Sequence, residues 1–492
     1  MSVEKIDTLV VGAGQAGIAL CEHLGKQGVP FLVLEKSRIA EAWRTSRWDA
    51  LVTNGPVWHD RFPNLKFKGN ASDEFVGKDR VVDYIEEYAD MVNAPVRTGV
   101  EVLSAARFPD RAGFCVETTS GVIEATRIVS ATGAFQEPVI PPIVPQDNAV
   151  HQMHSALYRN PDQLADGAVM VVGAGSSGAQ ISDELNRAGR KVFLSVGPHD
   201  RPPRRYRERD FVWWLGVLGL WDLAAQKPGT EHVTISVSGA YGGRTMDFRR
   251  LASEGVTLLG RTESFDSGVL EFANDVRTNI EAGDANYAEM LDAADAYAEA
   301  MGLALPLDPQ AREVWPDPAS LTNPIRSLDL TAEGISTIIW ATGYKQDFGW
   351  LKVDAFTKTG APIHQRGVSK EPGLYFLGLP WQSRRGSTFL WGVWHDAKFI
   401  ADQIAIQRAY SDYNGQAAVV SETIAQPKIE RTSHDPDRPR TRLNARHGGL
   451  RGAHAVGGGP WLRGSHRAAW RWADCAAAGP ASSRAICAPS PR

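Results

Sequence analysis

Leu9-Val10-Val11-Gly12-Ala13-Gly14-Gln15-Ala16-Gly17 is the stretch whose reading decides the fold. The apolar run before Gly12 is short and β-branched, the pattern of a strand buried on both faces of a parallel sheet. Ile18, Ala19, Leu20 and Leu24 then recur at helical spacing, and a second apolar run, Phe31-Leu32-Val33-Leu34, ends on Glu35. Strand, glycine turn, helix, strand and terminal acid follow in the order a dinucleotide requires. Gly12 allows the tight turn, Gly14 lets backbone approach a pyrophosphate, and Gly17 lets helix and strand pack closely. Gln15 opens the helix whose N-terminus faces the phosphates. A carboxylate at Glu35 accepts hydrogen bonds from ribose hydroxyls and repels a 2′-phosphate, so the first nucleotide is expected to be FAD or NAD rather than NADP.

The chain repeats the unit. Val169-Met170-Val171-Val172 leads into Gly173-Ala174-Gly175-Ser176-Ser177-Gly178, a helix through Ile181 and Leu185, and the run Val192-Phe193-Leu194. This second strand ends on Ser195-Val196-Gly197 with no acid, and Arg201, Arg204, Arg205, Arg207 and Arg209 follow. Guanidinium groups bind phosphate bidentately, so this loop is expected to hold the 2′-phosphate of NADPH. The fold class is therefore α/β, with two Rossmann-like dinucleotide-binding domains, the NADPH domain inserted into the FAD domain. The expected limits are 1–145 for the first part of the FAD domain and 146–330 for a linker and the NADPH domain with a helical insertion. Residues 331–425 are expected to form the return part of the FAD domain, and 426–492 a disordered basic tail rich in Arg, Gly, Ala, Ser and Pro.

Composition sets outer bounds. A chain of 492 residues is too long for one core. With 43% hydrophobic and 22% charged residues it has the make-up of an ordinary globular protein. A net charge of −4 creates no field that attracts nucleic acid. Cys21, Cys115, Cys475 and Cys487 form no close redox or zinc pair. No basic segment followed by an apolar core opens the chain, so the cytoplasm is the expected compartment. The apolar run Phe211 to Trp221 is shorter than the roughly 17 residues that cross a bilayer, and core packing is its first reading. Ala282 to Leu303 reads as an amphipathic helix on the same domain. The oligomeric state is left open, a homodimer among the options.

Several segments carry candidate chemistry. Trp43, Arg44 and Trp48 crowd aromatics and a guanidinium into one short stretch, the mixture a flavin ring and its pyrimidine edge ask for. Asn54-Gly55-Pro56-Val57-Trp58-His59-Asp60 follows closely, and the imidazole of His59 beside the Asp60 carboxylate is a candidate for steering a proton. Val100 to Val129 reads as a small β-meander. It closes on Ala131-Thr132-Gly133, and the same ending recurs at Ala341-Thr342-Gly343-Tyr344. Small residues there let the chain leave one domain close to the nucleotide, so the two interdomain crossings are expected near them.

The two glycine fingerprints, the His154-Ser155…Tyr158-Arg159 linker and Ala341-Thr342-Gly343-Tyr344 together resemble the class B flavin-dependent monooxygenases. That family holds the flavin-containing monooxygenases, the Baeyer–Villiger enzymes and a bacterial branch of flavoproteins; the run Asn54 to His59 is similar to the last. The family's linker normally has Phe-x-Gly upstream of its histidine, where this chain has Asn148 and Val150. The resemblance implies FAD reduced by NADPH, O₂ added at flavin C4a, NADP⁺ retained as a shield, and one oxygen atom inserted into a small organic substrate. It implies Asn54 as the amide beside the flavin, and His154 and Tyr158 as ties between linker and NADPH. It also implies that a late helix N-terminus, here the turn from Ser387 through Phe389 and Leu390 to Gly392, lies against the flavin pyrimidine. Other classes stay open: a pyridine-nucleotide-dependent flavoprotein reductase or oxidase, and a non-catalytic flavin-binding regulator.

Overall fold

The computed structural model describes residues 3–146, 149–224 and 234–420, with side chains as far as 413 except that of 412. Residues up to 409 belong to one compact unit, and the end of the helix Leu390–Val420, from Tyr410 on, lies outside it. The expected tail at 426–492 lies outside the described residues. Among the described residues no helix is long and apolar enough to cross a membrane.

The first sheet is built around the quoted strand. Glu4–Val11 runs parallel between Phe31–Glu35 and Gly121–Ser130, with Val10 opposite both Val33 and Val129. Val96–Thr98 and Leu374–Phe376 extend it in parallel at the two ends of the nucleotide-binding half. The meander, Val102–Arg107 and Phe114–Thr118, joins the same sheet antiparallel to Gly121–Ser130. One face is covered by three helices whose apolar stripes meet: Ile18, Leu20 and Leu24 from Gln15–Lys26, Val81, Val82 and Ile85 from Lys78–Met91, and Val393, Ile400 and Ile404 from the late helix.

The second sheet is wholly parallel, in the order Thr257–Leu259, Val192–Ser195, Ala168–Val172, Ile335–Trp340 and His151–His154. This corrects the expected boundary at 331. Ile335–Trp340 pairs on both edges inside the second sheet, so that fold runs to 340 and only the chain after Gly343 returns to the first sheet. The helical insertion packs as core: Phe211, Val212, Trp214 and Leu215 bury against Met290, Leu291 and Ala294 of the helix Val276–Ala300. Directly after the two Ala-Thr-Gly endings, Glu137–Pro138 and Tyr344–Lys345 pair antiparallel, so the two crossings lie side by side.

Candidate functional site: two nucleotide loops and the junction between them

Each glycine loop reads the same way. Gly12 has φ +107 and Gly173 has φ +118, values at which a side chain is strained. A Cβ on either would stand 2.6 Å or 2.5 Å from the carbonyl of Ala131 or Ala341. This is the physical reason for the paired Ala-Thr-Gly endings: each crosses directly over the first glycine. A Cβ on Gly17 or Gly178 would be 1.9 Å from the carbonyl of Gly12 or Gly173, so helix and turn are in contact. The middle glycines differ. Nothing lies within 4 Å of a Cβ on Gly14, whereas Thr234 Cγ2 lies 3.5 Å from one on Gly175.

In the first loop Glu35 accepts the backbone N–H of Ala13 and of Ser37, each at 2.9 Å, which fixes the turn and leaves lone pairs for ribose hydroxyls. Gln15 donates to the Thr388 carbonyl at 2.6 Å and accepts from the Trp43 indole at 3.0 Å. The start of the late helix is thereby held against the loop. Ser387 is buried and accepts from the N–H groups of Ser383 and Arg384, Leu390 is buried, and Phe389 is exposed beside Trp221. An open cradle at Gly14, a helix N-terminus above it and an acid at the strand end fit FAD. Other members of the expected flavin cradle are placed differently. Trp48 packs into the core of the second fold with Met153 and Tyr158, and Arg44 is engaged by Ile39 O and Glu86. Thr45, Asp49, Arg159 and Asn160 are hydrogen-bonded together, so residues 43–51 clamp the two folds through the linker.

The second loop carries a strap. Thr234 to Ser238 runs along it: Ser176 Oγ donates to Ile235 O at 2.7 Å and accepts from Val237 N at 3.3 Å, and Ser236 Oγ donates to Ala174 O. Backbone pairing of Asp200 with Thr234 and Ser236 ties the strap to the chain after the second strand. Ser177 lies half-buried in the first turn of the helix Ser176–Arg187. The arginines do not form the expected phosphate rim. Arg201 is buried against Asp247 and Asp284, and Arg204 against Asp210, so their charge is already neutralised; Arg205 is exposed. Carboxylates far along the chain, invisible to local reading, account for the difference.

Asn54 sits at the junction. Arg204 donates to its backbone carbonyl at 2.6 Å, Gln180 of the second-fold helix donates to its Oδ1 at 3.0 Å, and Asp60 holds the next N–H, that of Gly55, at 2.8 Å. His59 Nδ1 is 2.8 Å from Asp60 Oδ1. A carboxylate only accepts, so Nδ1 carries the hydrogen toward Asp60 and Nε2 faces away from it. That Nε2 is buried and has no partner among the described residues, its ring stacked 4.9 Å from Trp221 and bordered by Trp58 and Trp391.

The linker residues are structural ties. His154 donates from Nε2 to Gly343 O at 2.9 Å and accepts from Ala156 N, and burial holds its pKa below the ordinary histidine value. Thr132 and Gly133 are bridged by Gln136, and Thr342 bonds Val139 O. Tyr158 is fully buried beside Glu184, whose carboxyl burial pushes up to about 7. Local reading missed Gln180, Trp221, Trp391 and the strap. A polar Gln180 between Ala179 and Ile181, on a helix face that is otherwise core, was the one available signal.

Residues 9–209 match the family described as pyridine nucleotide-disulphide oxidoreductase. An uncharacterized CzcO-like oxidoreductase of Geobacillus kaustophilus is 32% identical over 404 residues, covering 81% of this chain and 98% of the relative. The indole-3-pyruvate monooxygenase YUCCA1 of rice is 29% identical, covering 81% of this chain and 91% of its own. A flavin-containing monooxygenase of Stenotrophomonas maltophilia shares the fold with a TM-score of 0.57 at 18% identity, over 82% of this chain and 99% of that one. A bacillithiol disulfide reductase of Staphylococcus aureus shares it at 0.54 and 12% identity, over 82% and 99%. Cys21, the cysteine on the first helix, is buried with its thiol pushed up to about 12, which does not suit thiolate chemistry. The chain belongs to the CzcO-like oxidoreductases, and its nucleotides are FAD and NADPH.

Proposed function

We propose that the chain is an NADPH-consuming monooxygenase that places one atom of O₂ on a small organic substrate and releases the other as water. NADPH, a proton, O₂ and substrate are consumed; NADP⁺, water and the oxygenated substrate are formed. The observation that carries this reading is the position of Asn54, an amide held between the two nucleotide folds by Arg204 and Gln180. FAD, once bound and reduced, supplies the activation of O₂.

The residues have separate tasks. Gly12, Gly14, Gly17 and Glu35 would hold FAD, and Gly173, Gly175 and Ser177 would take NADPH phosphates. The turn from Ser387 to Leu390, held by Gln15, would face the flavin's polar edge. Asn54 offers a hydrogen-bond donor toward developing negative charge on oxygen, the arrangement that preorganised amides provide elsewhere. Asp60 orients the His59 ring, so that Nε2 can take or return a proton. Trp58, Trp221 and Trp391 exclude water around it. Their apolar surfaces favour a hydrophobic or aromatic substrate.

The test is anaerobic reduction of the FAD-loaded protein with NADPH against NADH, then oxygenation in the presence of an amine, a thioether, a cyclic ketone or indole-3-pyruvate. Faster reduction by NADPH, a blue-shifted flavin spectrum on oxygenation and one oxygenated product are expected. Failure of both nicotinamides to reduce the flavin overturns the reading.

A further inference from the structure

We infer that Gln180 is a positioning residue that decides which way the Asn54 amide points. Gln180 is 7% exposed on the second-fold helix, and its Nε2 donates to Val237 O at 2.6 Å as well as to Asn54 Oδ1 at 3.0 Å. The assignment follows from chemistry rather than from fitting an amide. A backbone carbonyl has no hydrogen to give, so whatever faces Val237 O must be the amide nitrogen of Gln180. The same nitrogen faces Asn54, which must answer with an acceptor. Asn54 therefore turns Oδ1 toward Gln180, and its two Nδ2 hydrogens face the other way. Among the described residues Nδ2 makes no hydrogen bond. A flexible amide has become a donor of one direction.

The reference for that direction is the strap. Val237 belongs to the Thr234–Ser238 segment seated on the second glycine loop, so a carbonyl of the nicotinamide fold orients an amide of the flavin fold through one side chain. Arg204 fixes the Asn54 backbone independently, so exchanging Gln180 alters the side chain and leaves its carbonyl anchored.

The inference rests on Asn54 acting as the oxygen-activating donor, and the experiment separates the two. Hydrogen peroxide released per NADPH oxidised is measured with an oxygenated substrate, a ratio that does not depend on overall turnover. Asn54→Asp keeps an acceptor for Gln180 and loses the donor; Gln180→Glu reverses the pattern by asking Asn54 to donate to it. Gln180→Met removes the directing group at similar size. Each single exchange is expected to raise the ratio about fivefold to tenfold, the worth of one hydrogen bond. The double variant Asn54→Asp with Gln180→Met is expected to add nothing beyond the singles. A ratio unchanged in Asn54→Asp overturns the role of Asn54. A ratio raised there but unchanged in both Gln180 variants overturns the inference, since a purely structural Gln180 slows turnover without moving the partition.

Discussion

Over Gly14 there is open space, and over Gly175 lies a strap. Everything beneath is the same in the two folds: the positive φ at the first glycine, the crossing Ala-Thr-Gly carbonyl, the helix packed on the turn. The residue that opens each helix makes the difference. Gln15 is long and reaches across to Thr388, keeping the neighbouring element at arm's length. Ser176 is short and draws Ile235 and Val237 directly onto the loop. The second contrast is electrostatic. Glu35 serves its own turn, whereas the second strand ends on Ser195, and Arg201 and Arg204 nearby are consumed by Asp247, Asp284 and Asp210.

Breaking the buried charge pair has the largest expected effect. Arg204→Ala strands Asp210 in an interior and frees the Asn54 carbonyl, and a loss of about 3–5 kcal/mol by denaturant unfolding is expected. Arg205→Ala, exposed, is expected to leave stability within about 0.5 kcal/mol. Equal losses would show that the two arginines share a role. The middle glycines come next. Both have extended backbone, with φ −78 at Gly14 and φ −70 at Gly175, so alanine fits the fold. Gly14→Ala is expected to purify poorly coloured, with FAD affinity down about tenfold or more. Gly175→Ala is expected to stay yellow, with the NADPH KM raised instead. Loss of colour in Gly175→Ala would dissolve the distinction between the folds.

Loosening the strap is a smaller change. Ser236→Ala removes one bond that seats the strap on the second loop, and the freer strap is expected to lower the NADPH KM about threefold to fivefold. The smallest effect concerns pH. Glu184 titrates near 7 inside the fold against about 4.5 when exposed, so the folded state binds the extra proton. Its contribution is present below pH 4.5 and is lost as pH rises to 7. Glu184→Gln is therefore expected to raise Tm by about 2–4 °C at pH 8 and not at pH 4.

Much of the fold was legible because nucleotide binding imposes local rules. Strand, glycine and helix lie within thirty residues of one another, and the carbonyl contacts of Gly12 and Gly173 explain two repeats that the letters alone displayed. The boundary at 331 cut off Ile335–Trp340, which pairs in the second sheet, although the Ala341-Thr342-Gly343 ending marked the crossing itself. The site divides in the same way. Asn54, His59 and Asp60 do gather at one place, joined through Gly55. What surrounds them comes from Gln180, Trp221 and Trp391, residues separated from them by more than a hundred positions. The basic run misled because a guanidinium seeking phosphate and one seeking carboxylate look identical in a sequence.

The paired crossings at Glu137–Pro138 and Tyr344–Lys345 have a mechanical consequence. Two connectors bonded edge to edge resist sliding and splaying, because either motion would stretch the bonds between them, but a short ribbon twists with little opposition. A swing of one nucleotide fold against the other therefore leaves this ribbon to twist, and what it has to break are the bonds of residues 43–51, Arg204 and Gln180 across the junction.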